Sequence, residues 1–232
     1  MPKPRLLVHI CCAPDAAYVI GLLKDTHEVT GFFSDPNIHP AAEYERRLEE
    51  TRKVAAFLDI RLIEDDYDPS LWLKLTHKLR HEPEKGRRCD VCYALRLERT
   101  ARTASSLGFD GFTTIMSLSP WKKAAVLNRI GRMFGRRCGV RFLEADFKKK
   151  DGFRKSVALS RELSLYRQDY CGCLYSRRDQ QTRLLKHAPS PPSSPSLGGG
   201  ERKAAKFPSL VRAREARKAT QKPSNSRRKK IG

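Results

Sequence analysis

The chain has 232 residues, seven cysteines and a formal net charge of +21. That length buries a sizeable core without disulfide staples, and no stretch approaches the ~20 apolar residues of a membrane span. Pro2-Lys3-Pro4-Arg5 and the short run ending at His9 do not resemble an export signal, so the expected compartment is the reducing cytoplasm, where cysteine spacing reads as ligation or redox chemistry.

In chain order, Leu6–Ile10 reads as a buried strand and Ala16–Lys24 as a helix with Tyr18, Val19, Leu22 and Leu23 on one side. Val29–Phe33 is a second strand, closed by the turn Ser34-Asp35-Pro36-Asn37, and a charged helix follows from Ala41 to Leu58. Arg61–Ile63 is a third strand, with a helix expected from Pro69 to Leu79. Then come a helix at Tyr93–Leu107, a strand at Phe112–Ile115, a helix at Pro120–Phe134 and a strand at Val140–Leu143. This alternation predicts an α/β fold, a mainly parallel sheet covered by helices, over residues 1–188. From residue 189 onward, Pro-Ser and Gly-rich sequence carries twelve Lys or Arg against two acidic residues, net +10, which predicts a disordered basic tail over 189–232. Both parts attract polyanions, and a nucleic-acid partner is one class this charge allows.

Six cysteines stand in three pairs: Cys11-Cys12, Cys89-x-x-Cys92 and Cys171-x-Cys173, with Cys138 alone. Zinc and a cubane iron-sulfur cluster each normally take four ligands, so six thiols and Asp15 suffice for a four-cysteine centre plus a smaller site. Other readings stand beside this one. Cys11 and Cys12 can be small hydrophobes at a strand end, Asp15 can serve the helix after it, and Cys89-x-x-Cys92 is also the spacing of a zinc hairpin or a dithiol. Cys11, Asp15, Asp35, Asn37, Ser117 and Ser119 follow strand candidates, where open parallel sheets gather ligands. No P-loop, dinucleotide fingerprint or His-Glu-x-x-His signature is present.

The ordered set His9-Ile-Cys-Cys-Ala-Pro14, Phe33-Ser-Asp-Pro-Asn-Ile-His-Pro40, Glu43-Tyr-Glu-Arg-Arg47, Arg88-Cys-Asp-Val-Cys92, Ser117-Leu-Ser-Pro-Trp-Lys122, Asp146-Phe-Lys-Lys-Lys150 and Tyr166-Arg-Gln-Asp-Tyr-Cys-Gly-Cys173 resembles the QueH family of epoxyqueuosine reductases. The resemblance implies reduction of epoxyqueuosine to queuosine at the wobble position of the tRNAs for Tyr, His, Asn and Asp, the last step of that modification. It also implies a fold like the adenine-nucleotide hydrolases. Its cofactors would be a [4Fe-4S] cluster and an additional iron, with Cys11, Cys12, Cys89, Cys92, Cys171 and Cys173 as ligands and Asp15 as an oxygen ligand. An unidentified donor would supply electrons. Asp35, Asn37 and His39 are candidates for substrate binding or proton supply, and Arg46, Arg47, Lys148, Lys149 and Lys150 for phosphate contact. Ser117, Ser119 and Lys122 are candidates for positioning the anticodon, and Cys138 is expected to stand apart.

Overall fold

The computed structural model describes residues 2–187. The proposed tail, 189–232, lies outside the described residues. Five parallel strands, β1 (Arg5–Ile10), β2 (Glu28–Phe33), β3 (Arg61–Glu64), β4 (Gly111–Thr114) and β5 (Arg141–Phe142), form one sheet in the order β3-β2-β1-β4-β5. The helices are α1 (Ala13–Leu23), α2 (Ala41–Phe57), α3 (Ser70–Thr76), α4 (Arg87–Ser106), α5 (Ala124–Cys138), α6 (Gly152–Glu162) and α7 (Leu174–His187). No helix among the described residues is long and apolar enough to cross a membrane.

Period-two alternation along β1 divides the core. Leu6, Val8 and Ile10 pack with α1 and α2 on one face, while Leu7 joins Phe32, Phe112 and Phe142 beneath α4 and α5 on the other. His9 shares the α4 face, which explains a buried histidine in an apolar strand. Helix α5 lies close to β5 because Gly131 and Gly135 face it: a Cβ at Gly131 would stand 2.4 Å from the Phe142 ring, and one at Gly135 would meet the Val140 carbonyl at 2.7 Å.

Several expected boundaries move. Helix α4 begins at Arg87 rather than Tyr93, so Cys89 and Cys92 occupy its first turns and, three residues apart, one face. Helix α5 begins at Ala124 rather than Pro120, after a 3-10 turn at Ile115–Leu118, and β5 shortens to two residues. Helices α6 and α7 were not anticipated. Helix α7 is polar and offers little periodicity to read, whereas α6 is amphipathic and its period could have been read.

Strand order reverses between β1 and β4, the place where the loops leaving adjacent strands diverge. The segments after both strands line one cleft there.

Candidate metal centre and substrate cleft

All three cysteine pairs sit at helix N-termini. Cys12 is the N-cap of α1, with extended backbone and its carbonyl accepting from the Ala16 amide at 3.2 Å. Cys89 and Cys92 lie in the opening turns of α4, and the Cys89 sulfur accepts from the Lys85 amide at 3.3 Å. Cys173 immediately precedes α7, where its sulfur accepts from the Ser176 amide at 3.3 Å, its thiol donates to the Ser176 hydroxyl at 3.3 Å, and that hydroxyl donates to the Cys173 carbonyl at 2.9 Å. Unpaired amides and the macrodipole favour negative charge at such positions, so the local structure suits thiolate.

The pairs group into two donor sets. Charge on Cys171 or Cys173 acts on both Cys89 and Cys92, and Cys92 and Cys173 share a small buried cluster with Trp72 and Tyr175. Burial pushes the Cys89 thiol up to about 11 and Cys92 to about 12, with the neighbouring cysteines adding to the rise. A cation would have to displace these protons. Four soft thiols offered by two helix N-termini suit an iron-sulfur cluster or zinc. The indole Nε1 of Trp72 is buried without a hydrogen-bond partner among the described residues, and its N–H opposes the rise that burial gives the Cys92 thiol. Among the described residues no three His, Cys, Asp or Glu side chains already stand in metal-ligating geometry. Protonated thiols have no common point of attraction to close upon.

The second set is Cys11, Cys12 and Asp15. The Cys12 thiol hydrogen-bonds Cys11 and holds the Cys11 thiol well below its ordinary value, while Cys12 itself is pushed up. Burial, then the charge of Cys11, lifts the Asp15 carboxyl to about 6; Ser156 Oγ donates to Asp15 at 3.3 Å, and Arg167 stands 4.0 Å away. Asp15 is thus buried in the first turn of α1 and does not bond a helix-start amide with its side chain.

Cys11, Cys12, Asp15 and Cys171 line a cleft of about 510 Å³ together with Ser119, Trp121 and Lys122. Burial opposes the charge on Lys122, yet the neighbouring Cys171 and Cys11 more than offset this and hold its ammonium charged. Trp121 lies at the mouth, 58% exposed, with the Lys85 ammonium 4.9 Å from its ring centre. Ser117 is fully buried, and its hydroxyl accepts from the Phe147 amide at 3.4 Å.

Asp35, Asn37 and His39 do not line this cleft. Asp35 is buried and paired with Arg96, whose Nε donates to His9 Nε2 at 3.3 Å; His9 Nδ1 meets Thr114 Oγ1 at 2.9 Å. Burial would raise the Asp35 carboxyl, but Arg96 and His9 outweigh it and hold it below the usual carboxylate range. Asn37 is buried with its Oδ1 unpartnered. His39 donates its backbone N–H to Gly172 O at 2.8 Å, and its carbonyl accepts from the Tyr170 hydroxyl at 2.6 Å. Of the three side chains, Asp35 is committed to Arg96 behind the cleft wall, His39 Nδ1 meets the Asn37 carbonyl oxygen at 2.8 Å, and the Asn37 amide oxygen has no partner among the described residues.

Arg47, expected to touch phosphate, is buried: it pairs with Glu43 at 2.7 Å and donates to the carbonyls of Tyr170 and Cys171, each at 3.2 Å. Lys148 is held by Asp146 at 2.9 Å and by the carbonyls of Ser117 and Lys122. Arg46, Lys149 and Lys150 are exposed. Cys138 ends α5 and packs beside the α4–α5 core, apart from the other six. Sequence reasoning missed Trp72 and Ser156, and it had Arg96 in the motif Arg96-Leu-Glu98 of the family resemblance without a role. Arg96 follows Cys92 by one helical turn on the same face, a signal available once α4 is seen to start early.

The family model described as "Epoxyqueuosine reductase QueH" matches residues 6–179, a span that contains all six paired cysteines. The epoxyqueuosine reductase QueH of Streptococcus pyogenes serotype M1 is 36% identical over 190 residues, covering 79% of this chain and 74% of the relative. That of Thermotoga maritima is 35% identical over 186 residues, covering 79% and 94%. Among solved structures, the U34-tRNA thiolase NcsA from Methanococcus maripaludis with its [4Fe-4S] cluster superposes with a TM-score of 0.50 at 13% identity, over 81% of this chain and 67% of that one. That likeness concerns the fold alone, a parallel sheet covered by helices. Agreement across the matched span, including every cysteine pair built into a helix start, leads to one assignment: the chain belongs to the QueH family of epoxyqueuosine reductases.

Proposed function

We propose that this chain converts epoxyqueuosine to queuosine in tRNAs for Tyr, His, Asn and Asp, using a [4Fe-4S] cluster and an additional iron. The observation that carries the metal reading is the grouping of Cys89, Cys92, Cys171 and Cys173 at two helix N-termini, with Cys11, Cys12 and Asp15 beside them on the cleft wall. The first set would hold the cluster and the second the additional iron. When bound, such groups supply electrons singly and polarise an oxygen as a Lewis acid. Removing the epoxide oxygen breaks two carbon–oxygen bonds, leaves an alkene and releases water, so each turnover consumes two electrons and two protons from an external reductant and solvent.

The protein's own residues orient and enclose the reaction. Trp121 presents a ring to an unstacked base at the cleft mouth, the mode by which single-stranded RNA loops are held. Lys122 keeps a positive Nζ beside the position where oxygen develops negative charge. Arg47, His39 and Tyr170 fix the loop bearing Cys171 through its backbone, and Gly172 at φ +113° permits the turn between the two thiols. Asp35 acts by positioning, since it anchors Arg96 behind the cysteines. We place the enzyme in the cytoplasm, where its tRNA substrate is.

The test is anaerobic reconstitution followed by assay on tRNA bearing epoxyqueuosine, with iron, sulfide and zinc measured on the same sample. Turnover that requires both iron and a strong reductant is expected. Full turnover by iron-free protein, or a colourless protein holding one zinc and no activity, would overturn the reading. Cys173→Ser should lose iron and activity, because a hydroxyl replaces a soft ligand poorly, whereas Cys138→Ser should lose neither.

A further inference from the structure

The outward face of α5 carries Arg129, Arg132, Arg136 and Arg137, all exposed, and exposed Arg141 continues the patch onto the edge strand β5. The spacing of three, four and seven residues puts Arg129, Arg132 and Arg136 on one side, and Arg137 flanks them with its guanidinium 5.5 Å from the Phe134 ring centre. The opposite side, with Leu127, Ile130 and Phe134, is buried against α4 and the sheet. Helix α5 contains no acidic residue. Among the described residues only Arg132 of this patch is ion-paired, to Glu144 at 2.7 Å. Shallow surface grooves run between these arginines, one lined by Arg129, Arg132, Met133, Arg136 and Arg137.

Two features separate this stripe from an ordinary solvated face. Arg136 and Arg137 in the last turn complement the helix dipole, but Arg129 and Arg132 lie mid-helix, where that effect has decayed. Every basic residue in the helix is arginine, whose planar fork matches phosphate oxygens two at a time. The helix also points from the cleft: Ala124 follows cleft-lining Lys122 by two residues, and at the rise of an α-helix Arg129 stands about 8 Å and Arg136 about 18 Å further along the axis.

From this placement we infer that the arginine face of α5 is a docking surface for the phosphate backbone of a helical RNA stem whose loop enters the cleft. The inference rests on the tRNA substrate proposed above and specifies which surface receives the stem. The loop nucleotide is held at Trp121 and Lys122, and the strand leaving it follows α5, its phosphates meeting Arg129, Arg136 and Arg137 in turn. Such contacts are blind to sequence, so one surface serves several tRNAs with different stems.

The test compares wild type with the triple variant Arg129→Gln, Arg136→Gln, Arg137→Gln; glutamine keeps helix propensity, and Arg132 stays with Glu144. Binding of an unmodified anticodon stem–loop RNA is measured by fluorescence anisotropy across a salt series, together with turnover of the epoxyqueuosine-bearing stem–loop and of a single-stranded oligonucleotide of its loop alone. The variant should bind the stem–loop about 10-fold more weakly at low salt, with the slope of log K against log salt reduced by about 2–3. Its KM should rise for the stem–loop only, with kcat unchanged. Equal affinity and slope would overturn the proposal, as would an equal loss on the loop oligonucleotide, or a loss of binding to anionic lipid vesicles with none to RNA. The binding arm needs no turnover, so an inactive wild type would count against the proposed reaction while the salt slope still decides the docking surface.

Discussion

Arg96 joins residues from three parts of the chain. It rises from α4 beneath the sheet, ion-pairs with Asp35 after β2 and donates to His9 in β1, all three being buried. Removing one partner of such a pair leaves an uncompensated buried charge, so Arg96→Leu should cost about 3–5 kcal/mol at neutral pH. The pH dependence has a definite sign. Because the folded Asp35 carboxyl lies below its ordinary value, its contribution is present above that value and lost as pH falls through the lower folded one. In the variant, burial without Arg96 raises the same carboxyl, so protonation relieves the cost on acidification. Urea unfolding should therefore show the gap between wild type and Arg96→Leu narrowing from pH 7 toward pH 4. A gap independent of pH would sink the ion-pair account. None of this was legible in sequence, where Asp35 reads as a turn residue and His9 as a strand residue. Their meeting depends on β1 pairing with β2 and on α4 covering that face. The cysteines were legible as three pairs, because ligand spacing is local, but which pair joins which was not.

At the scale of elements, legibility follows amphipathicity. The apolar runs of β1, β2 and β4 could be read directly, since strands buried on both faces keep no polar alternation. Helix α4 starts six residues before its expected position because Arg87, Arg88 and Asp90 look solvated, yet Arg88 is buried with its guanidinium 4.7 Å from the Tyr175 ring. Helix α7 was unread for a similar reason: its start is secured by Cys173 and Ser176, groups with no helical period. The contact of α5 with β5 tests the packing reading directly. Gly131→Ala would put a methyl group 2.4 Å from the Phe142 ring and should cost about 1–3 kcal/mol by overpacking. Phe142→Leu should cost stability alone and less than additively with Gly131→Ala, because the smaller side chain admits the methyl. Additive costs in urea would mean that the helix shifts instead.

Across the whole molecule, charge and chemistry are distributed differently. The family match spans residues 6–179 and includes every paired cysteine, while the segment from 189 onward contains no cysteine and supplies net +10 of the +21. Charges outside the cysteine-bearing part can change how RNA arrives without changing what happens to it. They attract a polyanion over roughly a Debye length, about 10 Å at 0.1 M salt, and add counterion release once bound. Truncation after residue 188 should accordingly keep full iron content and saturated turnover, while tRNA binding weakens at low salt. The difference from the full chain should shrink as salt rises, because screening removes what the extra Lys and Arg contribute. Truncation and the α5 variant are then separable: losing the tail should weaken full-length tRNA and a generic RNA alike, whereas losing the arginine face should spare the isolated loop oligonucleotide. Loss of iron or of saturated turnover on truncation would show that the segment beyond residue 188 supports the active domain, and the division there would have to be redrawn.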